Sequence, residues 1–288
     1  MRASGILLPV SSLPSKYGIG CFSKEAYDFV DVLEKANQKY WQILPIGPTS
    51  YGDSPYQSFS TFAGNPYFIS LEKLIEEELL TEEECNSVDF GENNEYIDYE
   101  KLYNGRFNLL KKAYKRSNPE DEGFKKFVEE NGFWIEDYAM FMAIKAEHNG
   151  ESFELWEDEI RVRKPKAMER YREKFKDEIL FYKFIQFKFY EQWFKLKEYA
   201  NDKGIKIIGD IPIYVAYDSA DVWANPELFQ MDEEVKPISV AGCPPDAFSA
   251  DGQLWGNPVY KWDYHKQTGY TWWIKRIENS TKLYDVIR

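Results

Sequence analysis

The alternation of apolar and polar stretches divides the chain into recognisable elements. Residues 5–10 (GILLPV) and 41–46 (WQILPI) are short, mostly apolar runs bounded by loop residues, and each predicts a buried strand. Between them Ser23 stands where a helix cap belongs. Ala26, Phe29, Val30 and Leu33 then recur at helical spacing. Strand, helix, strand is the unit of a parallel sheet. Residues 80–175 break the rhythm: they are polar and acidic, with helical patterning over 103–114 and 134–147, and predict a mainly helical inserted subdomain. A long helix follows over 179–201, ended by Gly204. Residues 205–210 predict a third strand, 270–279 another helix, and 283–288 the start of a fourth strand.

Three stretches result: 1–79 with two strands and their loops, 80–175 helical, and 176–288 with strands three and four. Four strands with crossovers fit half of a (β/α)₈ barrel or a small open sheet. In a barrel, function gathers at the C-terminal ends of the strands. The unusual loops fall there: 11–15, 47–69 and the region beginning at Asp210. A dinucleotide-binding doubly wound fold is disfavoured, because no GxGxxG follows any strand.

Residues 241–260, AGCPPDAFSADGQLWGNPVY, show neither helical nor strand periodicity and predict a long ordered loop. Its Phe248, Leu254 and Trp255 argue against disorder, since that much apolar surface wants cover. Two readings fit. Its carboxylates and aromatic faces suit a sugar, and its composition also suits a structural Ω-loop packed on itself.

Composition narrows the chemistry. The 288 residues hold 43% hydrophobic and 30% charged residues, as a globular protein does, and a net charge of −13 argues against nucleic acid or anionic membrane as partner. The basic group Arg161, Arg163, Lys164 and Lys166 is balanced by Glu154, Glu157, Asp158 and Glu159, and predicts a solvated face. Aromatic residues reach 17%, a composition that suits stacking on sugar rings as well as a large aromatic core. Three cysteines without CxxC spacing give neither a disulfide framework nor a zinc site. The N-terminal apolar run is too short for a signal peptide, and no run of about 18 apolar residues exists. The cytoplasm is the expected location. The two histidines lie far from any Ser or Cys nucleophile motif, so catalysis is expected to rest on carboxylates.

Three constellations hold candidate chemistry: 51–58 (YGDSPYQS), 209–223 (GDIPIYVAYDSADVW) and 241–260. Asp53 and Ser54 are also favoured turn residues, and Asp218 or Ser219 also suits a helix cap. Asp210 at a strand end is harder to dismiss, because a carboxylate there must find partners or water. Together with LLPVSSLPS and YGDSPYQSFSTFAGNPY, these segments resemble the 4-α-glucanotransferases known as amylomaltases or disproportionating enzymes, in the α-amylase clan of glycoside hydrolases (family 77). The resemblance runs from about residue 3 to residue 288, with the motifs in order.

The resemblance implies a (β/α)₈ barrel with helical insertions, of which this chain holds the first four strands. It implies transfer of α-1,4-glucan segments to the 4-hydroxyl of glucose or a maltodextrin by a retaining double displacement, with no cofactor and no metal. In the family the nucleophilic aspartate sits in a motif like Arg-x-Asp-His. Arg288 matches its arginine, so all three catalytic carboxylates are expected after Arg288 and residues 1–288 alone are expected to be inactive. The alternative is a non-catalytic glucan-binding or vestigial fragment. The implied binding residues are Tyr56 as an aromatic platform, with Tyr51 and Ser54 near it. Asp210 is implied beside the scissile bond. Asp246, Phe248 and Trp255 are implied on a loop covering the glucan, and Asn257 at that loop's base. Alternate residues of a strand share a face, so Arg288 would hold the nucleophile ionised.

Overall fold

The computed structural model describes residues 2–50, 52–91 and 95–288. The chain opens with β1 (Gly5–Leu7), α1 (Lys24–Lys35) and β2 (Tyr40–Gln42). After a loop come seven helices, α2 (Leu71–Glu76), α3 (Glu82–Asn86), α4 (Tyr99–Arg116), α5 (Glu122–Glu130), α6 (Gly132–Glu147), α7 (Asp158–Arg161) and α8 (Pro165–Lys174). The long α9 (Lys176–Asp202) leads into β3 (Lys206–Gly209) and α10 (Ala220–Ala224). An antiparallel pair, β4 (Val240–Cys243) and β5 (Gln253–Pro258), is followed by α11 (Trp262–Gln267), α12 (Thr271–Leu283) and β6 (Val286–Ile287).

The strands β1, β2, β3 and β6 pair in that order, and every pairing is parallel. Trp41 sits between Ile6 and Ile207, and Gly209 opposes Ile287. Each step along the sheet is a crossover through helix, as parallel pairing requires. All four carboxyl ends therefore face the same edge, and the loops leaving them meet there.

Helix α9 is the sheet's main cover. Phe184, Ile185, Phe189, Trp193 and Leu196 are all buried, too broad an apolar surface for a solvent-facing helix. The Trp193 indole donates to the Leu283 carbonyl at 3.1 Å, and its ring meets Phe22 at 5.3 Å. Two buried glutamines on α9 fasten the chain that follows β2. Gln186 accepts from Gly64 N at 2.7 Å and donates to Gly64 O at 2.9 Å. Gln192 does the same at Ser70, at 2.7 and 3.4 Å. Neither buried amide is left unsatisfied. At Gly64 an added Cβ would lie 2.0 Å from the Phe189 ring, so only glycine lets the loop approach. Leu109 of α4 and Ile144 of α6 share one buried cluster with Trp41 and Ile207.

Several expectations need correction. The first strand is shorter than 5–10, because Val10 begins a 3₁₀ turn, and as an outer strand it leaves Ile6 and Leu7 exposed rather than buried. The second covers only Tyr40–Gln42, and Leu283 ends α12 rather than starting the fourth strand. Ser23 stands at the N-terminus of α1, but its hydroxyl turns to Glu25 instead of capping a backbone N–H. Residues 241–260 are not a strandless loop: β4 and β5 make a hairpin, its register shifted between Val240 and Gly242, a shift that hides the two-residue period. Nor is the basic group simply solvated. Arg161 reaches the Glu234 carbonyl, and Arg163 lies over Trp223 at 4.2 Å while pairing with Asp137 at 2.5 Å. The helices, by contrast, follow their apolar spacing closely.

Candidate functional site

Three segments far apart in sequence meet at the carboxyl edge of the sheet. Asp210 directly follows β3 and Arg288 directly follows β6, and Arg288 N donates to the Gly209 carbonyl at 2.9 Å. Tyr56 arrives from the long loop after β2. That loop is closed at its neck by Asn65 N donating to Ile46 O at 2.8 Å, and folded back on itself by Ser50 N donating to Gln57 O at 3.0 Å. Ser54 shapes its turn, its hydroxyl accepting from Tyr56 N at 3.3 Å. Tyr51 lies outside the described residues.

The Asp210 carboxylate is the meeting point. Its Oδ2 accepts from the Tyr56 hydroxyl at 2.7 Å and from Arg288 Nη2 at 2.7 Å, and its Oδ1 accepts from Arg288 Nε at 3.1 Å. Arg288 Nη2 also donates to the Tyr56 hydroxyl at 3.3 Å. The forked arginine contact is charge-assisted and geometrically fixed. Asp210 is almost enclosed while the Arg288 side chain is 58% exposed, so the arginine is the open face of the cluster. Burial, then donation to Asp210, pushes the Tyr56 phenol above its usual value, and the hydrogen bond to Asp210 raises the Arg288 guanidinium. With three hydrogen bonds made, roughly one of the carboxylate's four lone-pair sites remains for a ligand hydroxyl. Beneath the cluster the Tyr284 ring lies against Gly209, where a Cβ would come within 2.1 Å of it.

The hairpin stands beside this cluster and is built differently. Its base is fixed by buried Asn257, which donates to the Val215 carbonyl at 2.7 Å and accepts from Gln57 Nε2 at 3.3 Å. Trp255 is 43% exposed, with its indole donating to Gln253 at 3.0 Å and its ring 6.3 Å from Tyr214. At the tip Asp246 spends its Oδ1 on the N–H groups of Phe248 and Ser249, both at 2.8 Å, and Phe248 is 96% exposed. The cover expected for this apolar surface is not supplied by the described residues. The structure thus brings Tyr56, Asp210 and Arg288 together, ties Asn257 to the same loop through Gln57, and leaves Asp246 and Phe248 apart at the tip. Gln57 and Tyr214 lie within the quoted motifs, but only the fold shows whom they touch. Among the described residues no group of three or more His, Cys, Asp or Glu is placed to hold a metal, and no helix is long and apolar enough to cross a membrane.

Residues 8–288 match a protein-family model described as 4-alpha-glucanotransferase. The chain belongs to this family. A 4-alpha-glucanotransferase of Clostridium butyricum is 53% identical over 97% of this chain, and one of Streptococcus pneumoniae 51% identical over all of it. Those alignments take in 58% and 57% of the relatives, so the chain spans well under two thirds of their length. The solved amylomaltase from Streptococcus agalactiae, in complex with acarbose, superposes with a TM-score of 0.97 at 46% identity, over 100% of this chain and 59% of that one. As a 4-alpha-glucanotransferase family member, the chain keeps its strand-end cluster on parallel strands and, among the described residues, its most exposed aromatic side chain on a hairpin.

Proposed function

We propose that this chain supplies the glucan-holding part of a 4-α-glucanotransferase, and that its sheet is the first half of a (β/α)₈ barrel with the helices of 80–175 inserted between strands two and three. The observation that carries the reading is the Tyr56–Asp210–Arg288 cluster at the carboxyl edge of four parallel strands. Donor and acceptor are α-1,4-glucans such as maltodextrins. Asp210 accepts a hydroxyl of the glucosyl unit at the reacting bond, and Tyr56 presents its ring beside that sugar. Trp255, Phe248 and Asp246 on the hairpin lie over the chain, with Tyr51 and Ser54 shaping the neighbouring loop. A covered glucan leaves little room for water, which favours transfer over hydrolysis.

In the whole protein the nucleophilic aspartate stands two residues after Arg288, on the same face of its strand. Its carboxylate attacks the anomeric carbon as the glycosidic C–O bond breaks, and a second carboxylic acid protonates the departing oxygen. An incoming 4-hydroxyl then attacks the glycosyl-enzyme and gives its proton to that second carboxylate. Arg288 keeps the attacking group ionised. No metal or redox group takes part, and the expected location is the cytoplasm.

The test is disproportionation of maltotriose. The full-length protein is expected to release glucose and longer maltodextrins, whereas a polypeptide of residues 1–288 is expected to do neither. Activity of the shorter polypeptide above a blank would place the catalytic groups elsewhere. Binding of glucans without transfer by the full-length protein would favour a non-catalytic glucan-binding role.

A further inference from the structure

The segment 211–215 carries the chain from Asp210 towards α10 without belonging to a helix or strand. The ladder fades there, with Ile211 N reaching the Arg288 carbonyl at 3.5 Å. Side chains hold three of its carbonyls instead. Arg276 Nη2 donates to the Pro212 carbonyl, the Tyr260 hydroxyl donates to the Ile213 carbonyl at 2.9 Å, and Asn257 takes that of Val215. Arg276 Nη1 also donates to the Tyr260 oxygen at 3.0 Å, so two of these contacts run through one guanidinium. The Tyr260 ring is stacked on Tyr214 at 5.9 Å, and Tyr214 in turn meets Trp255 of the hairpin. Arg276 stands on α12, whose chain continues into β6 and Arg288. One helix–strand unit therefore grips this stretch twice, by Arg288 at Asp210 and by Arg276 two residues later.

Packing alone does not account for a cation here. Arg276 is 2% exposed, lies over the Trp273 ring at 4.9 Å and the Trp272 ring at 5.4 Å, and touches no carboxylate among the described residues. Asp221 feels its charge from a distance, but both Asp221 oxygens are taken by Thr61, at 2.8 Å each. Burying an ion without a direct counter-ion is costly, and an apolar side chain of similar volume would fill the space without that cost. What the guanidinium adds is direction. Its planar fork sets two donors at fixed angles, one towards the segment behind Asp210 and one towards Tyr260. Arg276 borders the cleft lined by Tyr56, Asp210 and Tyr214, yet is too enclosed to meet a glucan itself. Any effect it has on a ligand passes through the groups it places.

We propose that Arg276 is a positioning residue for glucan transfer, fixing where Asp210 stands by holding the segment behind it through Pro212 and Tyr260; it rests on the glucan reading above. The test is maltotriose disproportionation by the full-length protein carrying Arg276→Met, which keeps an apolar stem and removes both donors, or Tyr260→Phe, which keeps the stacked ring and removes the hydroxyl. Each is measured alone and together with Asp210→Asn, as rate per folded molecule below its own melting midpoint. Arg276→Met alone is expected to lower that rate roughly tenfold and Tyr260→Phe about fivefold. Residues that act as one unit are non-additive, so in the Asp210→Asn background the further loss from either is expected to stay under about twofold. A merely structural arginine would lower the melting midpoint and leave the rate per folded molecule unchanged, or would cost the same factor in both backgrounds. Either result refutes the positioning role while the glucan reading stands. If Arg276→Met does not fold, Tyr260→Phe decides by the same two criteria. If the wild type transfers no glucan, both readings fall.

Discussion

The strand-end cluster and the hairpin sit side by side and are held by different means. Asp210 and Arg288 leave adjacent parallel strands, over a ring that allows no Cβ at Gly209. Phe248 and Asp246 stand on a tip whose own turn uses one oxygen of the carboxylate and whose aromatic ring is almost wholly exposed. The first arrangement is preorganised by packing, so its geometry is fixed before a ligand arrives. The second is anchored towards its base, by Asn257, by Gln230 N donating to the Val259 carbonyl and by Trp255 against Tyr214, while Phe248 at its tip is 96% exposed. Precise placement of a reacting bond needs the first kind of support. Enclosing a long flexible glucan suits the second.

Substitutions can break this contrast. The largest effect is expected from Asp210→Asn, which leaves Arg288 without its counter-charge and Tyr56 with a weaker acceptor. Transfer by the full-length protein is expected to fall by about a hundredfold or more, since misplacement of about 1 Å has that consequence. A loss under threefold would show that the cluster is not where the glucan is held. Next comes Asn257→Ala, which leaves the Val215 carbonyl unpaired and frees the hairpin from Gln57. A destabilisation of about 1–3 kcal/mol is expected, seen as a lower melting midpoint together with slower transfer. Phe248→Ala and Trp255→Ala should separate those two readouts. Both side chains are well exposed, so stability is expected to change by about 0.5 kcal/mol or less, while KM for maltotriose rises. A large fall in melting midpoint with unchanged transfer per folded molecule would make the hairpin structural.

The smallest expected effect is on pH dependence. His265 is buried under the hairpin base, its Nε2 3.0 Å from the Leu228 carbonyl and its ring 5.7 Å from Tyr260. Burial holds its pKa below the usual histidine value of 6.5. A lowered folded pKa means that the stability it gives is complete above the unfolded value and is lost as pH falls through the folded one. Below pH 6.5 the hairpin base is therefore expected to loosen before the strand-end cluster does. Hydrogen exchange at Phe229 and Tyr260, compared with Gly209 between pH 7 and pH 5, would read this directly. Equal protection changes at both places would remove the distinction.

Much of this was legible in the residues, and the failures have physical causes. Helices such as α1 and α9 declared themselves because apolar residues recur at helical spacing over several turns. Asp210 stood out because a carboxylate follows an apolar strand. The hairpin was unreadable because its shifted register and its Gly and Pro residues break the two-residue period by which strands are recognised. The exposure of Ile6 and Leu7 was missed because an apolar run reports composition, not a strand's place at the sheet's edge. Nothing local marks Gln57 as the partner of Asn257, 200 positions away.

The distances along the chain between the members of the cluster govern when it can form. Tyr56 and Asp210 are 154 residues apart, and Asp210 and Arg288 another 78. At a synthesis rate of about 5–20 residues per second, Arg288 follows Asp210 by roughly 4–16 s. During that interval β2, β3 and α9 can already be packed, whereas β6 has yet to be made. A sheet formed in that interval would hold Asp210 beside Tyr56 without its arginine. Ion pairing at the cluster thus comes last, and its completion reports that the fourth parallel strand has docked.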